Sequence, residues 1–88
     1  MRIKSGFRLR DVAGEKVVTA EGPASVNFNK MVVLNETAAF LWDSLIGKSF
    51  DVKDATELLI ANYGADRKIA RKDAEALIDS WKSIGLVE

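Results

Sequence analysis

Apolar residues change their spacing once along this chain, between Leu34 and Asn35, from roughly every second residue to every third or fourth. That change constrains the fold more than any other feature. Strands must precede helices, and in 88 residues both parts must share one core. Before the change, Phe7-Arg8-Leu9-Arg10 alternates apolar and basic residues, as a half-buried strand does. Lys16-Val17-Val18-Thr19-Ala20 is a β-branched run that pairs back across a turn at Ala13-Gly14. Gly22-Pro23 punctuates the chain, and Val26-Asn27-Phe28 alternates again. Asn29-Lys30 offers a tight turn before the short apolar strand Met31-Val32-Val33-Leu34. Residues 26–34 are open to two readings, one bent strand or a second hairpin.

After the change, three amphipathic helices follow. Asn35 caps the first, whose apolar face is Ala38, Leu41, Trp42, Leu45 and Ile46, and Gly47 ends it. Asp51 caps the second, with Asp54 placed for a capping box; Val52, Ala55, Leu58, Leu59 and Tyr63 form its stripe, and Gly64 stops it. Asp66 caps the third, with Ala70, Ala74, Leu77, Ile78, Trp81 and Ile84 inward, and Gly85 closes it before the short tail Leu86-Val87-Glu88. None of these helices is stable alone, so all three share a core. The expectation is an α+β fold in one domain over residues 1–88. A small antiparallel sheet of three or four strands (about 7–34) precedes a three-helix part (about 35–85), in the manner of a winged helix-turn-helix.

Composition removes whole classes of chemistry. The chain has no cysteine and no histidine, which excludes disulfides, thiol nucleophiles, imidazole relays and the usual zinc ligand sets. No Gly-rich phosphate loop or calcium-loop spacing is present, so no cofactor is expected and the chain reads as a binding module without catalysis of its own. No apolar run reaches the roughly 20 residues that span a bilayer, and Met1 to Gly6 lacks a signal peptide's apolar region, so a cytoplasmic location is expected. Net charge is zero, but residues 1–34 carry +3 and residues 35–88 carry −3. A general nucleic-acid binder carries a net basic field, which this chain lacks.

Leu34-Asn35-Glu36-Thr37-Ala38-Ala39-Phe40-Leu41-Trp42 resembles the pyrroloquinoline quinone biosynthesis protein D family, in which a strand ending in Leu-Asn leads into an aliphatic-aromatic helix. The likeness continues at Tyr63-Gly64-Ala65-Asp66, through Asp73-Ala74-Glu75-Ala76-Leu77-Ile78, and at Lys82-Ser83-Ile84-Gly85-Leu86-Val87. Arg67-Lys68 departs from the family's proline and acidic start to the third helix. The resemblance implies a recognition element that binds the leader of a ribosomally made precursor peptide. It implies binding as an added strand, between the third strand and third helix, and presentation to a modifying enzyme such as a radical S-adenosylmethionine enzyme. The peptide-binding residues would be Met31, Val32, Val33 and Leu34 on the strand, with Asp73, Leu77 and Ser80 on the helix. An exposed apolar strand has free backbone groups that a peptide can pair with, and it also permits dimerisation through the sheet edge.

Other residues have plainer readings. Arg67, Lys68, Arg71 and Lys72 form a basic cluster at the start of the third helix, against the helix dipole, with Arg71-Glu75 as a compensating pair. A DNA-binding winged helix-turn-helix module is the alternative function, since its third helix would read the groove. Asp73, Glu75 and Asp79 put negative charge on that helix and disfavour nucleic acid. Asp51 and Asp54 read as helix caps ahead of catalytic carboxylates, and Trp42 and Trp81 read as core anchors.

Overall fold

The computed structural model describes residues 1–26 and 31–88. Strand β1 (Phe7–Val12) turns at Ala13-Gly14 into β2 (Glu15–Ala20), and β2 pairs with β3 (Val32–Leu34), giving an antiparallel sheet in the order β1-β2-β3. Three helices follow: α1 (Glu36–Leu45), α2 (Val52–Tyr63) and α3 (Arg67–Ile84). Among the described residues this is the expected α+β arrangement with three strands. The hairpin closes with Val12 opposite Glu15 and two residues between them, both at positive φ (Ala13 52°, Gly14 85°). That backbone matches the twist of the flanking strands.

Register assigns the faces. Leu9 pairs with Val18, and Val18 with Val32, so these side chains share one side of the sheet with Phe7 and Leu34. That side packs on the helices, with Val18 and Leu34 buried and Phe7, Leu9 and Val32 half-buried against the same cluster. Val33 pairs with Val17 on the opposite face. There Arg10 donates from Nε to the Thr19 hydroxyl (3.2 Å) and pairs with Glu21, which Arg8 also approaches (3.7 Å).

The segment after β2 departs from expectation. Gly22–Val26 is a 3-10 helix, so Val26 begins no strand; Ser25 donates its hydroxyl proton to the Gly22 carbonyl (2.7 Å), and Pro23 has no N–H to give a ladder. The proposed turn at Asn29-Lys30, and the strand-or-hairpin question for residues 27–30, lie outside the described residues.

Local chemistry places the helices. Asn35 accepts from the Ala38 N–H (2.8 Å) at the start of α1. At α2 the reciprocal box forms, with Asp51 accepting from Asp54 N–H (2.9 Å) and Asp54 accepting from Asp51 N–H (3.0 Å). Asp66 accepts from Lys68 N–H (3.1 Å) at α3. Gly64 and Gly85 end α2 and α3 in the left-handed conformation.

Trp42 and Trp81 meet edge to face at the centre of the core, with centroids 5.5 Å apart. Such a pair adds about 1 kcal/mol beyond its buried area. Two side chains leave the expected stripes and one outside them is buried. Ile46 follows α1 as its C-cap and is exposed. Tyr63 is also exposed, its ring edge-on to Phe40 at 5.7 Å. Thr56 is buried instead, its hydroxyl satisfied by the Val52 carbonyl at 2.7 Å. Residues 86–88 are more than a tail. Ile3 bridges Val87 in antiparallel fashion, Arg2 and Glu88 exchange backbone bonds (2.8 Å each way), and Leu86 is fully buried.

Candidate functional site

Strand β3 has β2 on one side and, among the described residues, no strand on the other. Its side chains alternate: Val32 and Leu34 turn to the core, while Val33 (60% exposed) and the preceding Met31 (65%) lie open to solvent. Apolar side chains left this bare on an unpaired edge are a ready template for another strand.

Where β3 ends, Asn35 both caps α1 and borders a concavity of about 460 Å³ between α1 and α3. Thr37, Ala38 and Leu41 of α1 and Leu59 of α2 line one part, and Asp73, Ala76, Leu77 and Ser80 line the α3 side. Buried Ala38, Leu41 and Leu59 give this hollow an apolar floor, and half-buried Leu77 adds to its wall. Asn35, Thr37, Asp73 and Ser80 give it a polar rim.

The three α3 residues singled out from the sequence, Asp73, Leu77 and Ser80, therefore line one hollow. Of the four strand residues, only Met31 and Val33 present side chains to solvent. Leu34 is buried in the core, so a ligand at the edge would meet its backbone and not its side chain. Asn35, Thr37 and Ala76 were missed as lining residues, and Ala38, Leu41 and Leu59 were read as core positions only. Ala76 could have been found, since it lies three residues after Asp73 and four before Ser80. Thr37 could not, because the periodicity of one helix says nothing about which neighbour it faces.

Electrostatics separates two sides of α3. On one, Arg71 pairs with Glu75 (2.9 Å) and Arg67 with Glu57 of α2. The Arg67 guanidinium hydrogen-bonded to Glu57 holds that carboxyl below its usual value, and Glu57 raises the guanidinium in return. The basic cluster is thus partly neutralised within the fold. On the other side, Asp73 is exposed and has no ion-pair partner among the described residues.

A second hollow of about 480 Å³ lies between the end of α1 and the outward side of α2, lined by residues such as Ser44, Phe50 and Leu58. It is comparable in size, and neither hollow has a β3 residue in its lining, but Asn35, which directly follows β3, borders only the first. The hollow beside Asn35 adjoins the open strand, and so it is the better candidate. Among the described residues no group of three or more His, Cys, Asp or Glu could hold a metal ion, and no helix is long and apolar enough to cross a membrane.

A three-stranded sheet whose β3 edge is open among the described residues, feeding three helices, with a hollow between the first and third helices bordered by the residue after β3, defines an α+β module of the winged helix-turn-helix kind. The chain belongs to the coenzyme PQQ synthesis protein D (PqqD) family, whose sequence profile matches residues 9–87. Among curated protein sequences none matches. Two solved structures are similar over almost their whole length. TbiB1 in complex with the TbiA(beta) leader peptide matches with a TM-score of 0.75 and 16% identity, covering 100% of this chain and 95% of that one. Lasso peptide synthetase B1 complexed with the leader peptide matches with a TM-score of 0.72 and 22% identity, covering 99% of this chain and 95% of that one. At these identities the likeness establishes the fold.

Proposed function

We propose that this protein binds the leader segment of a ribosomally synthesised precursor peptide as an added strand on β3, and presents it to a modifying enzyme without catalysing a reaction itself. The observation that carries this reading is the edge of β3, unpaired among the described residues, with Met31 and Val33 bare, and followed by Asn35 at the hollow lined by Asp73, Leu77 and Ser80. Backbone pairing supplies affinity, and alternate peptide side chains entering the hollow supply selectivity. Membership of the PqqD family supports it, as does the likeness to two proteins solved with leader peptides. A radical S-adenosylmethionine enzyme is the kind of partner that fits.

DNA fits the third helix poorly. Two of the basic cluster's arginines are paired within the fold, and Asp73, Glu75 and Asp79 place exposed negative charge on α3.

The test is amide chemical-shift mapping of the full chain with the leader of a precursor peptide encoded beside its gene. Shifts are expected on residues 31–35 and on α3 from Asp73 to Ser80. Shifts confined to Arg67–Lys72 or to α2, with residues 31–34 unmoved, would refute strand addition.

A further inference from the structure

Backbone pairing on β3 does not by itself choose among peptides, and α3 bears on that choice. Ile69, Asp73 and Leu77 succeed one another at i, i+4 and i+8 along one side of the helix. Ile69 is 59% exposed, Leu77 is half-buried, and between them Asp73 is the one charged residue among those lining the hollow. Arg71 is matched by Glu75 and Arg67 by Glu57, whereas Asp73, like Lys68, Lys72 and Asp79, has no ion-pair partner among the described residues, and of these it alone lines the hollow.

Helix and strand geometry turn this spacing into a pattern. Four helical residues advance about 6 Å. In an extended chain, side chains two residues apart point the same way and lie about 6.6 Å apart. Over Ile69, Asp73 and Leu77 the helix therefore advances about 12 Å, against about 13 Å for five extended residues, so three alternate peptide positions stay aligned.

We propose that α3 reads an apolar–x–basic–x–apolar pattern in the leader peptide, with Ile69 and Leu77 contacting the outer residues and Asp73 selecting the central Lys or Arg. This inference rests on the leader-binding reading. A peptide laid over the hollow removes water from the Asp73 carboxylate, which a cation compensates and a neutral or acidic residue does not. Selectivity against an acidic centre is then as much a part of the device as attraction to a basic one.

The experiment selects random 12-residue peptides, displayed on their encoding mRNA, against the immobilised full chain and against Asp73→Lys. Binders are located by amide shifts. Asp73 is exposed and unpaired, so its substitution leaves the fold intact. Peptides that map to β3 and α3 are expected to carry Lys or Arg flanked at two residues on each side by apolar residues. On Asp73→Lys the centre should switch to Asp or Glu while the apolar flanks persist. In one synthesised binder, replacing the central Lys by Gln should weaken wild type at least about three-fold, and by more than an exposed ion pair accounts for where the peptide fully covers the carboxylate, and leave Asp73→Asn unchanged.

Binders that map to this site without a basic preference, or whose preference survives Asp73→Lys, would overturn the proposal and leave leader binding standing. If no binder maps to β3 and α3, the leader-binding reading fails and the proposal falls with it.

Discussion

Ala13 holds φ at 52° in the β1–β2 turn, a left-handed conformation that costs a residue with a β-carbon about 1 kcal/mol and that asparagine tolerates better. Ala13→Asn is therefore expected to raise the unfolding free energy by about 0.5 kcal/mol, read as a higher urea midpoint with unchanged slope. Ala13 belongs neither to β3 nor to the lining of the hollow, so peptide affinity should not change. At Asp51 the conformation is ordinary and charge is the issue. The Asp54 backbone N–H, donating to the Asp51 carboxylate, holds that group below its usual value near 3.8. A folded-state value below the unfolded one means the charged cap contributes fully above the unfolded value. The contribution disappears as pH falls through the folded value. The Tm difference between wild type and Asp51→Asn should accordingly stay constant from neutral pH to about pH 5 and shrink below about pH 4. A difference that grew on acidification would contradict this cause.

Elements were legible in the sequence to the degree that their determinants are local. Asn35, Asp51 with Asp54, Asp66, Gly64 and Gly85 all act within one helical turn of themselves, and each stands where its residue type and spacing placed it. The Ile3–Val87 bridge was invisible because it joins segments too short to show a period. Ile46 and Tyr63 continue apolar stripes but extend past the point where a neighbouring element covers them. On the site, spacing along α3 brought Asp73, Leu77 and Ser80 to one hollow, whereas the share of α1 depends on how two helices cross. Strand β3 carries the sharpest expectation at this scale. Backbone amides alternate in direction along a strand, so at one of Val32 and Val33 the N–H points to β2 and at the other it points outward. Proline at the outward-facing position should weaken leader binding at least ten-fold with little loss of stability, and at the inward-facing one it should destabilise the sheet instead. Calorimetric titration with thermal melts of both variants separates the two effects. Equal binding losses at both positions, after correction for stability, would argue against backbone pairing.

Across the whole molecule, one apolar cluster joins the inner face of the sheet, all three helices and both chain ends. Leu86 is among its most deeply buried members, and its backbone receives Lys4 (2.9 Å) while its own N–H reaches Trp81 (2.8 Å). The walls of the candidate hollow, α1 and α3, hold their positions only through this shared core, since no disulfide or metal clip is available to a chain without cysteine or histidine. Stability and the shape of the hollow are therefore coupled, though the coupling is indirect. Removing the Leu86 side chain leaves a cavity in the core and not on the open strand edge, and Leu86→Ala is expected to cost about 3 kcal/mol of unfolding free energy. Val33→Thr, on the open side of the sheet, should lie within about 0.5 kcal/mol of wild type because its side chain packs against little. Peptide affinity should order the two variants the other way. Well below its melting temperature Leu86→Ala keeps the bare strand edge and Asp73, and so binds nearly as wild type, whereas Val33→Thr loses an apolar contact and binds more weakly. Urea denaturation and calorimetric titration on the same two proteins test both orders. A Leu86→Ala protein that remained folded but lost peptide binding, beside a Val33→Thr protein that bound normally, would move the binding surface away from β3.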